Sequence, residues 1–263
     1  MSIQKNLLAA AIASCLSMGA QAGNIFITGH DADEHQNGAY MAAGLDYLLF
    51  GTAQTGNRAK SIAYLNTFGG GNAATPLSGA YNVTTFNANL AGIAAALNGG
   101  FDAVMVGSGN DFSAQGALSA SASLFTSYFN GGGSLFVNTD EAGGQSWYNF
   151  VPQFGTTANN TISVAGIFTP TAAGALIGLT NPVVDADITH SYYTGVNTSL
   201  FTVFETTAAN GNGVPVGQAV AIGLRQATID EGGNFVPEPA TTALMMLGLA
   251  GLAASRKRKV PQA

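Results

Sequence analysis

Phe101-Asp102-Ala103-Val104-Met105-Val106-Gly107, a helical stretch over 114–130, Gly131-Gly132-Gly133 and Ser134-Leu135-Phe136-Val137-Asn138 follow one another in mid-chain. The first and last segments are short apolar runs, the form a strand takes when both of its faces are covered. Between them Leu118, Phe125 and Phe129 supply much of an apolar helix face, and Ser113 is placed to cap its start. The three glycines stop the helix. Strand, helix and strand in this rhythm predict a right-handed βαβ unit and hence a parallel sheet.

Working outward, the same alternation continues upstream. Residues 24–28 read as a buried first strand. Residues 39–50 carry a helical face of Tyr40, Ala43, Leu45, Leu48 and Leu49. Residues 61–65 predict a second strand, 69–79 a glycine-rich loop and 81–84 a short strand. Asn87 is placed to cap a helix through Leu97, which Asn98-Gly99-Gly100 ends. After Thr161 the pattern changes. Residues 161–164, 188–193, 200–205 and 219–224 read as strands with few helices between them. The expected fold is α/β: a flavodoxin-like open parallel sheet with helices on both faces and an antiparallel extension in the C-terminal third.

The 101–107 segment, the helix ending Tyr128-Phe129-Asn130-Gly131-Gly132-Gly133-Ser134-Leu135-Phe136-Val137 and the later Phe154-Gly155 resemble the class I glutamine amidotransferase-like fold. The resemblance spans about residues 24–184. The group includes trehalose-utilisation-type proteins with no amidase activity, so the likeness implies a scaffold more than a reaction. The family's nucleophile is a cysteine at a tight turn after a strand. Here the corresponding turns read Ser108-Gly109-Asn110-Asp111 and Thr139-Asp140-Glu141. Without a thiolate to attack the amide, cysteine-dependent amidotransfer is excluded. Gly107-Ser108-Gly109 resembles a nucleophile elbow, but in a chain rich in glycine and serine it reads first as a tight turn.

The densest polar cluster is 29–38, where His30, Asp31, Asp33, Glu34 and His35 crowd the loop leaving the first strand. In an open α/β sheet such loops line the ligand crevice. His190 is the third histidine, and Asp140 and Glu141 leave another expected strand at the same edge. Imidazole with carboxylate suits zinc, manganese or iron, and carboxylate with carbonyl suits calcium. The candidate ligands for one divalent metal ion are therefore His30, Asp31, Asp33, His35, Asp140, Glu141 and His190. The competing reading is a solvated loop that caps the next helix. Trp147, Tyr148 and Phe150 could stack on a sugar, but their spacing reads more naturally as core.

The chain ends are address labels. Lys5, the apolar run 7–16 and Ala20-Gln21-Ala22 make a secretory signal over residues 1–22, removed by signal peptidase. The C-terminus reads Val236-Pro237-Glu238-Pro239, then an apolar run to Ala254, then Arg256-Lys257-Arg258-Lys259. This order resembles the PEP-CTERM sorting signal that exosortase enzymes process. The apolar run is shorter than the ~20 residues that span a bilayer easily, so insertion as a short transmembrane helix leans on the basic stop. The domain plan is signal peptide 1–22, α/β domain 23–235 and sorting signal 236–263.

Between these labels the body holds three basic residues (Arg58, Lys60, Arg225) against thirteen acidic ones. Such a body repels nucleic acid and anionic lipid. The sole cysteine, Cys15, lies in the signal, so the body has neither disulfide nor thiolate. The expectation is a non-catalytic protein exported through the inner membrane, anchored briefly by its C-terminus and then held at the cell surface or in extracellular polysaccharide. The alternatives are a divalent-metal- or carbohydrate-binding module built on the first-strand loop, and a hydrolase of sugars or esters using His30, Asp31, His190 and Ser108.

Overall fold

The computed structural model describes residues 22–67, 71–108, 112–139, 156–162, 167–186, 189–208, 214–229 and 235–237. Five parallel strands form its centre: β1 (Gly23–Thr28), β2 (Ser61–Asn66), β3 (Asn82–Asn87), β4 (Ala103–Val106) and β5 (Ser134–Asn138), in the order β3-β2-β4-β5-β1. The apolar runs quoted above are buried on both faces, which is why they lack polar alternation. Ile25, Ile27, Val104, Val106, Leu135 and Val137 point to one face and meet Ile93, Phe125 and Phe129. Phe26, Tyr64, Met105 and Phe136 point to the other and meet Tyr40, Leu45 and Leu48.

The helices divide accordingly. The helix α1 (Gly38–Phe50) and the short α2 (Ala74–Leu77) cover the second face, while α3 (Leu90–Asn98), α4 (Phe112–Ala120) and α5 (Ala122–Asn130) lie on the first. The chain winds leftward from β1 to β3 and back through β4 to β5, changing face at the reversal, as right-handed crossovers require. Three local expectations change. The cap of α3 is Asn89, whose side chain accepts from the Gly92 amide, whereas Asn87 is the last residue of β3. The long helix over 114–130 is two helices joined at Ser121, which leaves helical geometry at ψ 7°. Its amide donates to the Ala117 and Leu118 carbonyls within a serine-rich run that holds helix weakly. The glycine-rich loop also holds α2, which the sequence pattern did not suggest.

The C-terminal third is the expected antiparallel extension. It comprises β6 (Thr156–Ile162), β7 (Phe168–Pro170), β8 (Thr189–Thr194), β9 (Thr202–Thr207), β10 (Ala219–Ile229) and β11 (Phe235–Pro237). The short helices α6 (Ala172–Leu176) and α7 (Asn181–Val184) interrupt it. Among the described residues all eleven strands belong to one sheet. The hub is β10, longer than its apolar core 219–224 suggested. It runs antiparallel to β1 from Ala221 to Ala227, along the whole of β1, and also pairs with β8, β9 and β11. A register shift beside Gly23 goes with the left-handed φ of 56° at Gln226, the mark of a β-bulge. One consequence is that Gly23, Ala227 and Pro237 lie side by side at one edge of the sheet. The loops leaving β1, β2, β4 and β5 lie at the opposite edge.

The helix α1 approaches the sheet closely at Gly44. A Cβ there would fall 2.4 Å from the Phe136 ring and 2.9 Å from the Phe26 ring, both fully buried. Gly44→Ala is therefore expected to lower unfolding stability by about 1–3 kcal/mol through overpacking, despite alanine's better helix propensity. Urea unfolding of the two proteins checks this.

Candidate functional site

The loop after β1 is a compact turn tied by its own backbone. The Glu34 amide donates to the Asp31 carbonyl and the Asn37 amide to the Ala32 carbonyl, and Gln36 takes a left-handed φ of 56°. Asn37 then caps α1, its side chain accepting from the Tyr40 amide at 3.1 Å. This geometry sends the polar side chains of the loop into the protein at two places.

The first place joins the parallel block to the extension. The buried His30 Nε2 lies 2.7 Å from Oε1 of Glu205, on β9. Tyr40 Oη donates to the other oxygen, Oε2, at 2.9 Å, and lies 2.7 Å from Thr28 Oγ1. The His30 ring packs against the rings of Tyr40 and Phe168, centroids 4.6 and 5.1 Å away. Burial and the neighbouring Glu205 charge push the Tyr40 phenol well above its ordinary range, so it stays a proton donor. Beside them Thr139 Oγ1 meets Tyr193 Oη at 2.8 Å and donates to the Thr28 carbonyl.

The second place crosses the sheet edge. The buried Asp33 carboxylate reaches over β5 to β4 and β2. It accepts from Tyr64 Oη at 2.6 Å, from Ser108 Oγ at 2.7 Å and from the Ser108 amide at 3.1 Å. Thr67 Oγ1 donates to the Ser108 carbonyl, so every polar group of Ser108 is engaged. Gly107 is needed here, since a Cβ would lie 2.7 Å from Asp33 Oδ2. Burial raises the Asp33 pKa, and the hydrogen bonds from Tyr64 and Ser108 offset part of that. The Tyr64 phenol is in turn raised far above its usual range by burial and by Asp33.

Of the expected ligands, His30 and Asp33 thus enter two separate buried networks. His35 Nδ1, partly exposed, pairs with Oδ1 of the buried Asp31 at 3.0 Å. His190 lies on β8, two places from β1 in the strand order. Asp140, Glu141, Trp147, Tyr148 and Phe150 lie outside the described residues, as do Glu238, Pro239, the apolar run after them and the basic stop Arg256–Lys259. Among the described residues no group of three or more His, Cys, Asp or Glu is arranged to hold a metal ion, and no helix is long and apolar enough to cross a membrane.

Sequence reasoning missed Glu205. Its one signal is a charge placed inside the apolar strand run 200–205, in a body with few charges. It also missed a third network, in which Asp46 of α1 accepts from Arg58 Nε and Nη2, at 3.1 and 2.9 Å, and from Tyr81 Oη.

Two outcomes follow from this geometry. Tyr40→Phe removes a donor from buried Glu205 and is expected to cost about 1–3 kcal/mol in thermal or urea unfolding. For Asp33, a raised folded pKa means that the folded state holds its proton to higher pH than the unfolded chain does. Wild type should therefore lose stability relative to Asp33→Asn as pH rises from the ordinary carboxylate range through the raised value, and the difference should be flat below it. Urea midpoints measured across acid to neutral pH test the sign.

Residues 235–259 match the family model for the PEP-CTERM protein-sorting motif. No curated protein and no solved structure matches the chain. The motif supports an exported protein that an exosortase sorts, with transient C-terminal anchoring and delivery to the surface.

Proposed function

We propose that the body is a non-catalytic surface or extracellular-matrix domain, an amidotransferase-like α/β scaffold delivered by its C-terminal signal. Signal peptidase trims its N-terminus, an exosortase-type enzyme processes its C-terminus, and extracellular polysaccharide is its setting. The observation that carries the non-catalytic reading is where the ionisable groups of the crevice edge are spent. His30 is held by Glu205, and Asp33 is held by Tyr64 and Ser108. A hydrolase would need Ser108 Oγ presented to substrate and a base free to take its proton. Here that hydroxyl is buried and donates to Asp33, which also accepts from the Tyr64 phenol and the Ser108 amide. A metal or carbohydrate site on the same loop ranks below, because a metal would have to draw His30 from Glu205 and Asp33 from two partners.

The test uses the full chain in cells that carry an exosortase. Wild type is expected to appear at the surface in a C-terminally shortened form, and Pro237→Ala with Glu238→Ala to stay with the membrane fraction. Equal release of both would overturn the sorting reading. Separately, the shortened protein is expected to hydrolyse neither aryl esters nor aryl glycosides. Turnover that disappears in Ser108→Ala would overturn the non-catalytic reading.

A further inference from the structure

The start of the sorting motif is already part of the fold. Phe235, Val236 and Pro237, the first three residues of the matched segment, pair antiparallel with Ile229, Thr228 and Ala227 of β10. The hydrogen-bonding direction can be worked out from α5. Asn130 engages both the amide and the carbonyl of Ile229, at 2.7 and 2.8 Å. In a strand successive residues turn their backbone groups to opposite edges, so those of Thr228 face Val236. Val236 is then the residue whose amide and carbonyl are both used by the sheet. Pro237, which has no amide hydrogen, falls where its nitrogen faces away from β10, so it costs the ladder nothing.

A processing enzyme that binds an extended segment competes for the same backbone groups, because strand addition uses the amides and carbonyls of alternate residues. We propose that β11 is a latch. The edge of β10 holds the start of the sorting motif, and the exosortase-type enzyme receives the motif only when β11 detaches. A three-residue strand at a sheet edge can detach without disturbing the core, whereas β10 is held by β1 and buries Ala227 and Ile229. The pairing also places the motif beside Gly23, so both processed ends of the body leave from one edge. This inference rests on the sorting reading above.

The test is a full-length Thr228→Cys, Val236→Cys variant, exported in cells that carry an exosortase. A hydrogen-bonded antiparallel pair has Cα atoms about 5.5 Å apart, within disulfide range. The body contributes no other cysteine. The disulfide is expected to form in the oxidising compartment, and the oxidised variant to be processed at least about tenfold more slowly than the same cells under reductant, since the link abolishes the local opening. Thr228→Pro, which removes the donor facing Val236, is expected to be processed faster than wild type. Failure of the disulfide to form, or processing of the oxidised variant at the wild-type rate, would overturn the latch. A wild-type chain that is never processed would instead overturn the sorting reading and the latch with it.

Discussion

The buried carboxylate of Glu205 is the constraint on which the rest of the arrangement hangs. It sits on β9, in the extension, and both of its oxygens are claimed by residues of the parallel half, His30 from the loop after β1 and Tyr40 from α1. A carboxylate in such a place is costly unless it is fully partnered, and removing one partner is punished more heavily than the pair is rewarded. The network therefore acts as a specification. It fixes how the extension meets the parallel block, and it turns the first-strand loop inward. Phe26, Tyr47 and Phe204 fill the space beneath it with tilted and edge-on ring contacts.

The same logic recurs at Asp33 and at Asp46. Each is a buried acid that accepts a hydrogen bond from a tyrosine hydroxyl, and each ties segments distant in sequence. A body so poor in charge spends much of its ionisable content on internal bonds. The two ends of the sheet then have distinct characters. One edge carries Gly23 and Pro237, and the edge with His30 and Ser108 lies a full strand length away.

Much of the fold was legible because buried parallel strands write themselves as unbroken apolar runs, and 101–107 and 134–138 are such runs. Glycines after Asn130 and after Asn98 gave the punctuation. What failed were choices between equivalent local signals. Asn87 and Asn89 are equally good caps, and only the length of β3 decides between them. Nothing in the serine-rich run around Ser121 distinguishes one bent helix from two. The length of β10 was hidden because Arg225 and Gln226 look like a strand end, whereas the bulge at Gln226 carries the strand on to Ile229. In the site, clustering of His30, Asp31, Asp33 and His35 was visible, but the destinations of His30 and Asp33 depended on Glu205, Tyr64 and Ser108. Those partners lie 31 to 175 residues away, and no local pattern announces such distances.

The most direct test of the account is a double-mutant cycle between His30 and Glu205, using His30→Ala, Glu205→Ala and the pair, read by equilibrium unfolding. The account predicts a coupling of about 1.5–3 kcal/mol, as for a buried hydrogen bond to a charged group. Additive effects of the two substitutions would contradict it, and would return His30 to the list of groups free to serve a ligand.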